Sequence, residues 1–400
     1  MSALDHVRQL AETIGPRGST MPTEAAAAEY TVSELQRLGL CPVVQRFTSA
    51  LSAWAPFSVL FGSVIVSGLL FLLTGRLGAV VGLGLSMLAL LSALLEMQFR
   101  PNPLRWILPR GTSQNVWAKV DARVAAAQHA VLVAHLDTHR TPLVFSSDRW
   151  VSLFGRLVPI GLGGAALLIL LLALGVAWPW PALRYASMVP LAVSLGILVL
   201  TVQADLTPYT AGANDNASGV GVVLGLAARL AAEPLSHVSI SLLFTGCEEV
   251  GCYGADAFLR VHRNDVGTAA WMPVDTVGSA DGRPVYLVSE RFLLTTRSDP
   301  SLIRLADEIS REHPDWEVRS IATAGTYTEG AVGAKHGLRV LSFGSQARSG
   351  GMSEWHRPTD TVDNVSEKTM KETERFIWEF LKALDLQATP GSRRQRAAIG

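Results

Sequence analysis

Four stretches of this chain run for about twenty residues or more without a charged side chain: 57–75, 77–95, 157–183 and 185–204. Coiled as helix, each is long enough to cross a bilayer core of ~30 Å. They come in two close pairs, joined across 75–78 and 178–184. Turns that short force antiparallel partners. The expectation is two transmembrane hairpins, with the chain entering and leaving the bilayer on one side, twice. Composition agrees. Hydrophobic residues make up 49% and charged residues 17%, against a usual ~25% charged. A chain disordered throughout is disfavoured. So is a nucleic-acid partner, because 34 basic and 34 acidic side chains leave no net field.

Arginines suggest which side. Arg100, Arg105, Arg110, Arg140, Arg149 and Arg156 flank the hairpin feet, and only Arg76 and Arg184 sit at the tips. The positive-inside rule then puts the polar sequence in the cytoplasm. The first ~50 residues lack a charged start followed by an apolar core, so no signal peptide is expected. The predicted state is a multi-pass protein of the cytoplasmic (inner) membrane, with the bilayer as one partner and its polar part on the cytoplasmic side.

The polar remainder reads as one interrupted domain: 1–54, 99–149 and 205–387, broken by hairpins at 55–98 and 150–204 and followed by a disordered tail at 388–400. Helices are expected over 4–14, 23–38, 219–232, 301–312 and 366–386, with another ending near 260. Strands are expected over 42–49, 115–120, 130–134, 238–245, 269–274, 284–289 and 339–342. Strands alternating with helices predict an α/β fold around a mixed, largely parallel sheet. If 42–49, 115–120 and 130–134 pair in that order, each antiparallel to the next, the first and third end at one edge. Both hairpins would then leave from the edge that bears His135, and the crevice would face the membrane.

Five short segments carry acids and histidines at strand ends: VLVAHLDTH with His135 and Asp137, GANDNASG with Asp215, LLFTGCEEVG with Glu248 and Glu249, WMPVDTVG with Asp275, and EWHRPTD with His356. Singly, each is more often structural: Asp215, Asn216 or Ser218 could simply cap a helix, and paired acids usually mark a solvated turn. Together they change the reading. Carboxylates with imidazoles suit zinc, and two histidines with three carboxylates can hold a pair of ions. In open α/β sheets such strand ends converge on one crevice. Cys41, Cys247 and Cys252 have neither disulfide-framework nor zinc-thiolate spacing; Cys247 is expected to pack against the sheet.

In these segments, and in IGPRGS at 14–19, ELQRLGL at 34–40 and the closing H-x-P-x-D-T, the chain resembles the co-catalytic di-zinc aminopeptidases of metallopeptidase family twenty-eight. Relatives of that family include glutamate carboxypeptidase and the transferrin receptor. The resemblance implies a three-layer α/β/α zinc-peptidase sandwich. It implies two Zn²⁺ ions bridged by Asp215, one completed by His135 and Asp275 and the other by Glu249 and His356. Glu248 would be the general base and Asp137 the partner that orients His135. The implied reaction is hydrolysis of a peptide substrate by a water activated between the two ions. Two departures stand out. The interval from His135 to Asp215 is lengthened by the second hairpin, and Trp355 replaces a tyrosine common in relatives.

Competing readings are a carboxypeptidase or deacylase of the same ligand order, disfavoured because the interval from Glu249 to His356 leaves little room for a lid, and a non-catalytic scaffold. Transport is disfavoured because the four spans carry no charge.

Overall fold

A computed structural model describes residues 1–124, 126–351 and 354–389. The tail from residue 390 lies outside the described residues. Two compact units are interleaved along the chain. One comprises Met1–Ser49, Gly111–His139 and the chain from Tyr209 onward; the other comprises Ala50–Arg110 and Arg140–Pro208.

Among the described residues, ten strands succeed one another: β1 (Val43–Ala50), β2 (Arg110–Val120), β3 (Gln128–His135), β4 (Val238–Thr245), β5 (Ala270–Pro273), β6 (Gly282–Arg291), β7 (Thr295–Arg297), β8 (Arg319–Ala324), β9 (Arg339–Val340) and β10 (Phe343–Ala347). Six form one sheet in the order β1-β2-β4-β3-β5-β9. β4, β3, β5 and β9 run parallel, and β2 is antiparallel to β4. The parallel centre is where the apolar runs are continuous: β4 is buried at all eight positions and β3 at its last six.

Alternate residues face opposite layers. Val116, Ala118, Leu132, Leu242 and Phe244 pack in one core with the helices Gly219–Ala232 and Glu367–Ala388. On the other face Phe258, from the helix Tyr253–Val266, sits between Trp117 and Trp271, with ring centroids 5.9 and 6.3 Å away. The result is the expected α/β/α arrangement around a mixed sheet.

Two expectations need correction. β2 and β3 are not neighbours, because β4 lies between them. β2 still runs opposite to β3, through its antiparallel pairing with β4. The interval from Glu249 to His356 is also fuller than expected. It carries a second sheet, in which β6 pairs with β10, β7 and β8, and the additional helix Glu329–Lys335. β8 (RSIATA) and β10 (FGSQA) escape sequence reading because they are short and rich in small or polar residues.

The second unit holds four helices long and apolar enough to cross a membrane: Ala55–Thr74, Arg76–Glu96, Asp148–Ala177 and Pro181–Asp205. The first two are joined at Gly75 alone, which takes φ +63°, a conformation glycine adopts cheaply. The third starts nine residues earlier than the uncharged run at 157 and stops at Ala177, before the turn at 178–180. Small residues let these helices approach: a Cβ on Gly68 would collide with Leu191, and one on Gly175 with Phe71. Both hairpin tips meet at one end, where the Arg184 guanidinium donates to the Leu72 carbonyl. At the other end Ser58 donates to Thr201 at 2.9 Å, and Ser52 to Asp205 at 2.5 Å.

Candidate metal centre

Each site residue sits just beyond an apolar strand or on a clamped loop. His135 ends β3. Glu248 and Glu249 come after β4 and a tight turn, and Asp275 lies two residues past β5. Because β3, β4 and β5 are parallel, all four arrive at the same edge of the sheet.

The DNASG loop divides its work among its polar side chains. Asn216 is the cap: its Oδ1 accepts from Gly219 N–H at 3.0 Å and Thr276 N–H at 3.2 Å, and its Nδ2 donates to the Val274 carbonyl. Asn214 N–H and Asp215 N–H donate to the two oxygens of Asp360. The loop is thus tied down by its neighbours, and the Asp215 carboxylate is left to face the histidines.

That carboxylate is shared. Its Oδ1 lies 3.2 Å from His135 Nε2, and its Oδ2 lies 3.3 Å from His356 Nε2. His135 Nε2 is also 3.6 Å from Asp275 Oδ1, and His356 Nε2 is 3.1 Å from Glu249 Oε2. The five residues named from sequence as metal ligands therefore come together, in two sets joined by Asp215. Asp137 is beside them in a different way from that expected. His135 Nδ1 is 3.1 Å from the Asp137 main-chain carbonyl and 3.6 Å from the carboxylate. The carboxylate instead accepts from the N–H groups of Glu248 and Glu249, at 3.0 and 3.1 Å, and from Ser19 Oγ at 2.6 Å. It orients the acid pair.

The IGPRGS segment stands out in the sequence, but nothing local assigns Arg17 a role. The guanidinium is buried and donates to five carbonyls: Leu136, Leu10, Gly15, Ala211 and Gly212, at 2.8–3.0 Å. It pins the segment after β3 to the loop before Asp215. Glu24 also goes unmarked in the sequence; it accepts from the N–H groups of Cys247 and Thr20 and from Ser113 Oγ. His139 is a third residue that the sequence does not single out, although it lies only four residues beyond His135. Its ring stacks on His356 with centroids 3.8 Å apart. The Trp355 ring lies on His356 too, at 4.4 Å. Cys247, Thr276 and His356 itself hold left-handed backbone angles (φ +57°, +51° and +54°). Such conformations are costly for these residue types and cluster at functional sites.

The electrostatics expose a deficit of positive charge. Burial, with Asp215 beside it, pushes Glu249 up to about 7. Burial drives Glu248 well above the carboxylate range, and takes Glu329 to about 7 and Asp360 to about 8. Burial disfavours the charged imidazoles, yet the surrounding carboxylates raise His356 to about 9 and His135 well above an ordinary histidine. Glu249 Oε1 and Asp275 Oδ1 are buried without a hydrogen-bond partner among the described residues. Unpaired carboxylate oxygens are expensive to bury. Carboxylate oxygens with imidazole nitrogens are a donor set that divalent zinc satisfies. The residues present fit such a cation.

Residues 196–381 match the model of peptidase family M28. Most of that match lies in the α/β unit, whose last segment begins at Tyr209. A search of curated proteins finds no match. Solved structures share the fold at low identity. A leucine aminopeptidase precursor from Bacteroides thetaiotaomicron is 13% identical, with a TM-score of 0.56 over 95% of this chain and 96% of that one. A zinc aminopeptidase from Bacillus subtilis is 12% identical, with a TM-score of 0.55 over 95% and 93%. The glutaminyl cyclase of Porphyromonas gingivalis is 15% identical, with a TM-score of 0.54 over 95% and 96%. The family match supports a metallopeptidase of the hydrolase class.

Proposed function

We propose that this protein is a membrane-anchored, two-zinc exopeptidase that acts as an aminopeptidase. The observation that carries the reading is the division of the Asp215 carboxylate. One oxygen faces His135, next to Asp275, and the other faces His356, next to Glu249. Those five residues would hold the metals. When bound, such a pair supplies Lewis acidity that lowers the pKa of water and polarises the scissile carbonyl.

The chain's own residues do the rest. Glu248 has no metal role here. Its carboxylate, whose proton affinity is raised by burial, takes a proton from the attacking water, and the carboxylic acid so formed delivers that proton to the departing amine. Asp137 fixes the Glu248–Glu249 backbone through two N–H bonds. Arg17 holds the two loops that carry His135 and Asp215 in register. The burial of these groups excludes bulk water and strengthens each interaction.

The apolar helices would anchor the protein as two hairpins with both tips on the far side of the bilayer, and their pairing at Arg184 supports that topology.

The test is a panel of free and N-blocked peptides, assayed with and without a chelator. Free peptides are expected to lose their first residue, with chelation abolishing the reaction and zinc restoring it. Equal cleavage of blocked peptides would remove the aminopeptidase reading. Ammonia release from N-terminal glutamine without peptide cleavage would remove the peptidase reading altogether.

A further inference from the structure

His139 is 6% exposed and belongs to the same clamped segment as His135. Its carbonyl accepts from Thr210 N–H at 2.9 Å. The preceding Thr138 N–H donates to the Arg17 carbonyl, and Arg17 N–H to Thr138 Oγ1. A Cβ on Gly212 would strike Thr138 Cγ2 at 2.1 Å, so this segment is pressed against the Asp215 loop. The His139 ring is therefore held where it lies, nearly parallel to His356 (11° between planes). Ligand atoms of His139, Glu249 and His356 all lie within 4.8 Å of one another, as do those of His135, Asp215 and Asp275.

We propose that His139 is an additional ligand of the cation held by Asp215, Glu249 and His356, so that the two metal positions are chemically unequal. This rests on the two-metal reading above. One position has a single imidazole, from His135, and two carboxylates. The other has two imidazoles and two carboxylates, which is enough protein donors to fill a tetrahedral zinc shell. Zinc accepts imidazole readily, and the ligand atoms of His139, His356 and Glu249 are gathered closely enough for one cation to reach all three. On this arrangement the His139 position binds more tightly, and the His135 position keeps more room for water and substrate.

Stacking alone is the competing role, and His139→Phe separates the two because it keeps a ring and removes the nitrogens. The full chain, in detergent, is stripped of metal and titrated with zinc against a chelating indicator. Wild type is expected to take up two equivalents. In H139F and in H139Q one equivalent should weaken by about tenfold or more, at least the scale seen when a ligand's outer partner is lost. A second measurement does not depend on affinity: H139C loaded with cobalt(II) should gain an intense thiolate-to-cobalt absorption in the near ultraviolet. H139F binding both equivalents as tightly as wild type overturns the role of His139 and leaves the two-metal reading standing. Wild type taking up fewer than two equivalents overturns both.

Discussion

The Cys252 thiol donates to Glu248 Oε1 across 3.2 Å. The same cysteine donates its N–H to the Glu248 carbonyl at 2.7 Å and holds a left-handed φ of +51°. The turn after the acid pair therefore closes back on the proposed general base. Burial, with Glu248 itself adding to the effect, pushes the thiol well above its ordinary range. At neutral pH it stays protonated and acts as a donor, not as a nucleophile.

Cys252 is accordingly a positioning residue. Cys252→Ala should lower kcat about fivefold and leave KM near its starting value, a loss of about 1 kcal/mol typical of one hydrogen bond. Cys252→Ser should recover most of the rate, because the hydroxyl can donate to the same oxygen. Steady-state kinetics on the three proteins checks this. Equal rates in Ala and wild type would remove the role.

Glu248→Gln keeps the shape of the side chain and removes the proton carrier. The expected loss in kcat is about a hundredfold to ten-thousandfold, the range of general acid–base catalysis, with bound zinc unchanged by elemental analysis. Full metal content with no catalysis identifies Glu248 as the base. Residual activity near wild type would assign that task elsewhere.

Metal removal should reverse how stability depends on pH. The buried acids Glu249 and Glu329 are raised to about 7, and His356 to about 9. An acid whose folded pKa exceeds its unfolded value keeps its proton longer when folded, so stability falls as pH rises between the two values. A raised histidine has the same sign, since its stabilisation is full below 6.5 and lost through about 9. The chelated protein should therefore lose melting temperature steadily from pH 5 to pH 8. With zinc the trend should be flat or upward, because protons compete with metal for the same ligands. Parallel melting curves at five pH values distinguish the cases. A chelated protein that stabilises on going from pH 5 to pH 8 contradicts the assignment.

The residues that converge on the candidate site were legible in the sequence because of the strands that deliver them. VLVAH and LLFTG are continuous apolar runs, the mark of strands buried on both faces, and the residues just beyond such a run land at the sheet edge. Asp215 was legible only together with the other segments, and its neighbour Asn216 proved to be the helix cap. Strand order was not legible, because the insertion of β4 between β2 and β3 depends on pairing between distant segments. Arg17 and Glu24 escaped for the same reason. Their partners lie up to 195 and 223 residues away, and no local pattern encodes a hydrogen bond over that distance. His139 did leave a trace, four residues after His135, but that spacing is meaningful only once the segment is known to fold back toward the site.

Sidedness can be read from the protein's own cysteines. Cys41 is exposed, whereas Cys247 and Cys252 are buried, so a membrane-impermeant maleimide reports on Cys41 alone. Arginines crowd the feet of the hairpins, and only Arg76 and Arg184 lie at the tips; the cytoplasmic bias of such residues predicts that Cys41 lies inside. Intact cells should leave Cys41 unlabelled, and permeabilised cells should label it fully. In a Cys41→Ser background, a cysteine introduced by Arg76→Cys should behave in the opposite way, because Arg76 begins the second helix of the first hairpin at its tip. Labelling of Cys41 in intact cells at the rate seen after permeabilisation would place the α/β unit outside. Equal labelling of both positions in intact cells would mean that the apolar hairpins do not span the bilayer.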